Sequence, residues 1–152
     1  MTIAQYAMLD PDEEVRYTCL DLLKDRHTPN VISYFVGELK SKDNRLVNRA
    51  GTALGVIREP MTIEPLIDAL VTEHLYKIVK AGGDGATTFD SRGTFSAGSG
   101  PTHIKRQHQN VEVLKALNTI TGLDFSFDAQ AWKYWYTQSL KNRTLTGAQW
   151  QR

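Results

Sequence analysis

Residues 43–70 read DNRLVNRAGTALGVIREPMTIEPLIDAL, and the fold of the whole chain turns on this stretch. Leu46, Val47, Ala50, Ala53, Leu54 and Ile57 recur at spacings of 3 and 4, which lines them along one side of a helix. Ile63, Leu66, Ile67 and Leu70 repeat the pattern beyond Pro60. Asp43 stands where an acceptor side chain meets the unpaired N–H groups of a helix start. Pro60 suits the first turn of a second helix, where a missing N–H does no harm. Ala50, Gly51, Ala53 and Gly55 are small enough to let a neighbouring helix come close.

Working outward, a shift of 31 residues lays this stretch over the one before it, DEEVRYTCLDLLKDRHTPNVISYFVGEL at residues 12–39. Asp12 falls on Asp43, Val15 on Leu46, Cys19 on Ala50, Leu23 on Leu54, Pro29 on Pro60, Ile32 on Ile63 and Leu39 on Leu70. A helical hairpin that recurs at this period cannot bury its own apolar side, so neighbouring units must stack. The spacing predicts helices over 12–25, 29–40, 43–57 and 61–72. A shift of 63 then sets Ala53, Leu54 and Ile57 on Ala116, Leu117 and Ile120, which predicts a helix over 110–121. Asp128 reads as the cap of a last helix carrying Trp132, Trp135, Tyr136 and Leu140 at spacings of 3, 4 and 4. That aromatic stripe suits closure of the open end of a stack. Ala4, Tyr6, Ala7 and Leu9 fit a short terminal helix or the end of an earlier repeat.

The motif carried by Leu46, Val47, Ala50, Gly51, Ala53, Leu54, Gly55, Pro60, Ile63, Pro65, Leu66, Ile67, Ala69 and Leu70 resembles the short bacterial HEAT repeats also known as PBS-lyase HEAT-like repeats. Unit one keeps Asp12, Val15 and Arg16 but has Leu22, Leu23 and Lys24 where the family pattern ends Ala-Leu-Gly. The resemblance implies a mainly α fold, a short right-handed α-solenoid, with repeats at about 10–40, 43–73 and 110–141 in a single domain. It also implies a scaffold that holds other proteins, and a chain that is part of a longer array. The repeat's alternative name raises a bilin lyase-like protein, but no tetrapyrrole pocket is legible.

Residues 74–109 interrupt the helices. Six glycines between Gly82 and Gly100 oppose a continuous helix. Leu75, Ile78 and Val79 lie between Lys77 and Lys80 in a strand-like stretch from His74, and the stretch from His103 to Arg106 is a further strand candidate. The Thr87–Asp90 and Gly93–Ser96 segments flank Ser91 and Arg92 in an arrangement that fits a β-hairpin. The expectation is a Gly-rich β-hairpin or loop inserted in the helical stack. It lacks the Gly-Lys pair of a phosphate-binding loop and the spaced carboxylates of a calcium loop.

Composition narrows the function classes. With 41% hydrophobic and 23% charged residues, the chain can bury a core and is not of the disordered type. No apolar run approaches the ~20 residues of a membrane span, and residues 1–10 lack the pattern of a signal peptide. Residues 1–75 carry 8 Lys and Arg against 12 Asp and Glu, whereas the remainder carries 10 against 5. The single cysteine, Cys19, excludes an internal disulfide and reads as a small buried core residue, since it aligns with Ala50. His27 and His74 stand alone in sequence, and His103 and His108 are five apart, so no zinc spacing emerges. Asp12, Glu13 and Glu14 suit a helix start, where the dipole favours negative charge. No paired carboxylates or triad can be assigned, so the sequence predicts neither an enzyme nor a cofactor.

What remains is binding. Ser33, Tyr34, Glu38, Glu64 and Asp68 lie off the apolar stripe of the second helices, and Phe89, Arg92, Phe95, Lys105 and Arg106 lie in the insertion. These two sets are the predicted surface for another protein or another domain of the same chain, anchored by a few aromatic or Arg side chains. His103, Lys105, Arg106 and His108 with Phe89 and Phe95 also raise nucleic acid, but their charge is thin for phosphate tracking, and this partner is the weaker expectation.

Overall fold

The computed structural model describes residues 1–26, 28–78 and 102–149. In chain order the elements are α1 (Ile3–Leu9), α2 (Glu13–Leu23), α3 (Pro29–Glu38), α4 (Asn44–Ile57), α5 (Ile63–Asp68), β1 (Val71–Ile78), β2 (Thr102–Gln109), α6 (Val111–Thr121) and α7 (Ala129–Gln149). The protein is therefore mainly helical, with one two-stranded antiparallel sheet among the described residues.

The helix starts are set by the aspartates. The Asp12 carboxylate accepts from the Glu14 N–H at 2.8 Å and that of Asp43 from the Arg45 N–H at 2.9 Å. Asp128 accepts from both Gln130 and Ala131, each at 3.0 Å. Each cap contributes about 1 kcal/mol by satisfying donors that the helix cannot. Pro29 opens α3, and Pro60 opens a 3-10 turn (Pro60–Thr62) that runs into α5. Thr2 and Gln5 cap α1 reciprocally, so the opening residues form the expected short helix.

α4 occupies the middle of the packing. It contacts α2 on one side and α6 on the other, while α3 packs on α4 and α5 packs on α6 and α7. Val47, Ala50, Ala53 and Leu54 are fully buried on α4, as are Val113 and Leu117 on α6. Gly51 and Gly55 allow the α4–α6 approach. A methyl group on Gly51 would sit 2.8 Å from the Val113 nitrogen, and one on Gly55 3.1 Å from both Cα and Cβ of Ala116. The first contact is with backbone, which has nowhere to rotate.

The far end is closed by aromatics. Trp132 is fully buried, and its indole N–H donates to the Ser126 carbonyl at 2.9 Å. Phe125 meets it edge-on at 4.9 Å between ring centroids, and Trp135 does so at 6.1 Å. Trp135 and Tyr136 are half-buried against the core, while Leu140 lies exposed.

Two expectations are corrected. The helix expected over 61–72 ends at Asp68, and the chain is already a strand at Val71. Pro65 lies within it, the β-branched Val71 and Thr72 favour extension, and Asn110 donates to the carbonyls of Ala69 and Leu70, holding the exit. Cys19 is only partly buried although Ala50, its repeat counterpart, is fully so. Leu22 is likewise 52% exposed where its counterpart Ala53 is enclosed. α2 packs on α1 and α4, whereas α4 packs on α1, α2, α3 and α6, so α2 has fewer helices around it.

The strand beginning near His74 and the one at His103 pair with each other. Val71 faces Gln109, His74 faces Arg106, Leu75 faces Lys105 and Ile78 faces Thr102. The hairpin expected around Ser91 and Arg92 lies outside the described residues.

Candidate functional site

The structure divides the predicted surface residues between two places. Tyr34 and Glu38 lie on α3, Glu64 and Asp68 on α5, and Lys105 and Arg106 on β2. Phe89, Arg92 and Phe95 fall outside the described residues, as do His27 and Trp150.

Between α3 and α5 lies a groove of about 340 Å³, with Val36, Leu39, Pro65 and Ala69 as its apolar lining and Lys40, Glu64 and Asp68 at its edges. The end of α3 and the length of α5 bring these side chains together. Apolar residues turned towards the core leave Val36 and Pro65 half covered, and the polar positions one turn on reach solvent. Two of the expected residues, Glu64 and Asp68, line it. Asp68 is also ion-paired with Lys133 of α7 at 2.7 Å. Tyr34 and Glu38 do not line it. Tyr34 is half-buried beside Phe35, and burial, followed by the nearby Glu38 carboxylate, pushes its hydroxyl above the usual tyrosine range.

On the β-hairpin the charged side chains are engaged within the arm. Lys105 donates to the Glu73 carboxylate at 2.9 Å, and that bond raises its pKa. The Arg106 guanidinium stands over the Tyr76 ring at 5.8 Å, and the Tyr76 hydroxyl lies 2.8 Å from Nε2 of His108. Of the expected cations, Lys105 and Arg106 each have a partner within the sheet.

Sequence reasoning missed the polar joint at the foot of this arm. Asn110 is fully buried, and its amide nitrogen donates to the Ala69 carbonyl at 2.8 Å and to the Thr72 hydroxyl at 2.9 Å. Its amide oxygen accepts from Asn48 at 2.9 Å, and the Asn48 oxygen accepts from the Glu112 N–H at 3.2 Å. His74 is buried beside them. Its Nδ1 lies 2.8 Å from the Lys42 carbonyl, so this nitrogen carries a proton, and Nε2 lies 2.8 Å from the Thr72 hydroxyl. Among the described residues no buried side-chain nitrogen or oxygen lacks a partner. This is a structural joint, since each group is consumed by another group of the chain.

Two wider hollows complete the surface. One, of about 630 Å³, runs along α4 and α6 between Lys24, Thr52, Arg58 and Lys115. The other, of about 610 Å³, is lined by Met61, Ile120, Trp135 and Tyr136. Among the described residues no three His, Cys, Asp or Glu side chains gather in a metal-binding cluster, and no helix is long and apolar enough to cross a membrane. No protein-family model, curated protein or solved structure matches the chain.

Proposed function

We propose that this chain is a non-enzymatic protein-binding module of the HEAT-like type, built as a short stack of helix pairs. The observation that carries the reading is the α3–α5 groove: an apolar lining from Val36, Leu39, Pro65 and Ala69, bordered by Lys40, by Asp68 in its ion pair with Lys133, and by the Glu64 carboxylate. Such a groove takes an apolar anchor and selects for a basic residue beside it. Rigid helices hold both features at fixed spacing, so little order has to be created on binding.

Selection of a displayed peptide library on the immobilised chain tests this. Enriched peptides are expected to share an apolar residue flanked by Lys or Arg. Their affinity should fall about tenfold on Glu64→Lys, which replaces attraction by repulsion at the rim. Failure to enrich any sequence, or binding indifferent to both Glu64→Lys and Leu39→Ala, overturns the proposal. A nucleic-acid reading draws little support from the arm, where Lys105 is ion-paired and Arg106 lies over an aromatic ring.

A further inference from the structure

A two-stranded sheet is marginal in water unless it gains further strands or packs on other elements, and here the packing is at its foot, through Thr72 and His74. Here eight-residue strands pair only with each other among the described residues, and each leaves one edge unpaired. The two edges differ in chemistry. β2 places Lys105 and Arg106 side by side and contains no carboxylate, so its edge repels a copy of itself. β1 reads Val71-Thr-Glu-His-Leu-Tyr-Lys-Ile78, with Leu75 67% exposed on the face that also carries Glu73 and Lys77.

We infer that β1 pairs with β1 of a second copy, antiparallel and centred on Leu75, to give a continuous four-stranded sheet. The register follows from the residues. Glu73 and Lys77 lie two positions to either side of Leu75, so a two-fold axis there sets Glu73 of each copy, which also bonds Lys105 of its own arm, opposite Lys77 of the other. Leu75 meets its own counterpart and is covered, and on the opposite face His74 stands opposite Tyr76. Moving the axis by one residue sets Glu73 opposite Leu75, or Leu75 opposite Lys77, and loses both ion pairs. Opposite charges directly across a strand pair stabilise it, and like charges oppose it. The interface is isologous, which closes the assembly at two copies. The feet of the two arms, at Val71, lie at opposite ends of the shared sheet, so the helical bodies extend away from the axis, each reaching as far as His74. This pairing is independent of the α3–α5 groove, and its failure leaves the groove's reading untouched.

Sedimentation equilibrium of the full chain over about 1–200 µM reads the outcome directly. The wild type is expected to approach twice the monomer mass. E73K and K77E, each alone, face like charges across the axis, and their self-association should weaken by about thirtyfold. Mixed in equal amounts, the two variants offer two cations against two carboxylates, and the dimer should return, as it should in the E73K/K77E double variant. K105Q breaks the ion pair within one arm and leaves the dimer intact, which separates loss of pairing from damage to the hairpin. A wild type that stays monomeric throughout overturns the inference. So do single variants that associate as tightly as wild type, or a mixture no tighter than its components.

Discussion

The α4–α6 contact and the joint between the β-hairpin and the helical body are both tight, but they are tight for opposite reasons. Across α4 and α6 the contact is mainly apolar, with Asn48 and Thr52 meeting Glu112 at its margin. Gly51 and Gly55 remove side chains so that backbones meet, and Val47, Leu54, Val113 and Leu117 seal the surroundings. At the foot of the hairpin, by contrast, Asn48, Thr72, His74 and Asn110 hold one another through directed hydrogen bonds. The first contact is set by volume and tolerates any apolar residue of the right size. The second is set by donor and acceptor count, and tolerates almost nothing. The apolar contact follows the spacing of the helices, whereas the polar joint lies where the helical pattern is broken.

That contrast can be broken at either side. Truncating Trp132 to Ala, which leaves a large void at the closed end and strands the Ser126 carbonyl, should cost about 3–5 kcal/mol. A chemical denaturation midpoint reads it, and a change within experimental error would mean that the end cap is not part of the core. Gly51→Ala forces a methyl group against the Val113 backbone and should cost about 1–3 kcal/mol, with Gly55→Ala costing less because its nearest atoms lie farther off. Equal losses at the two positions would show that the helices simply slide apart.

Asn110→Ala should cost about 2 kcal/mol, because it strands the Ala69 carbonyl and takes from the Asn48 amide nitrogen one of its two acceptors. Hydrogen exchange is expected to accelerate in β1 and β2 well before it does in α4. Uniform acceleration would make the joint a part of the helical core rather than a separate anchor.

The smallest effect is one of pH. The hydrogen bond from the Arg45 side chain holds the Asp43 carboxyl below its ordinary pKa, helped by the backbone bond and by the charges of Arg45 and Arg49. The folded state therefore binds this proton less readily than the unfolded chain. Its contribution is complete above the ordinary carboxylate range and is lost as pH falls through that range and below it. Because the side chain is over a third exposed, the change should stay under about 1 kcal/mol. Comparing denaturation of wild type and Asp43→Asn across acid pH checks it, the two curves converging at the acid end.

The parts legible in the sequence were those with a period. Asp12, Asp43 and Asp128 identified helix starts, and Gly51 and Gly55 identified a close approach, because each sits at a fixed offset from an apolar series. The exit at Asp68 was not legible, since Leu70 continues the apolar spacing although the backbone has already turned. Nor was the joint: residues 48, 72, 74 and 110 share no spacing, and only the fold makes them neighbours. Of the expected binding residues, Glu64 and Asp68 share a groove because they lie one turn apart on α5. Tyr34 and Glu38 are also one turn apart, on α3, but the groove is lined instead by the Val36 and Leu39 end of that helix. Being off the apolar stripe says that a residue reaches solvent, not which hollow it borders.

The Asn110 N–H donates to the Leu70 carbonyl at 2.9 Å, so the chain leaves the helical body and rejoins it at nearly the same point. A detour with coincident ends can be lengthened, shortened or exchanged without altering the spacing of anything around it. The arm is built as a cassette, with Thr72, His74 and Asn110 forming the socket that any replacement has to keep.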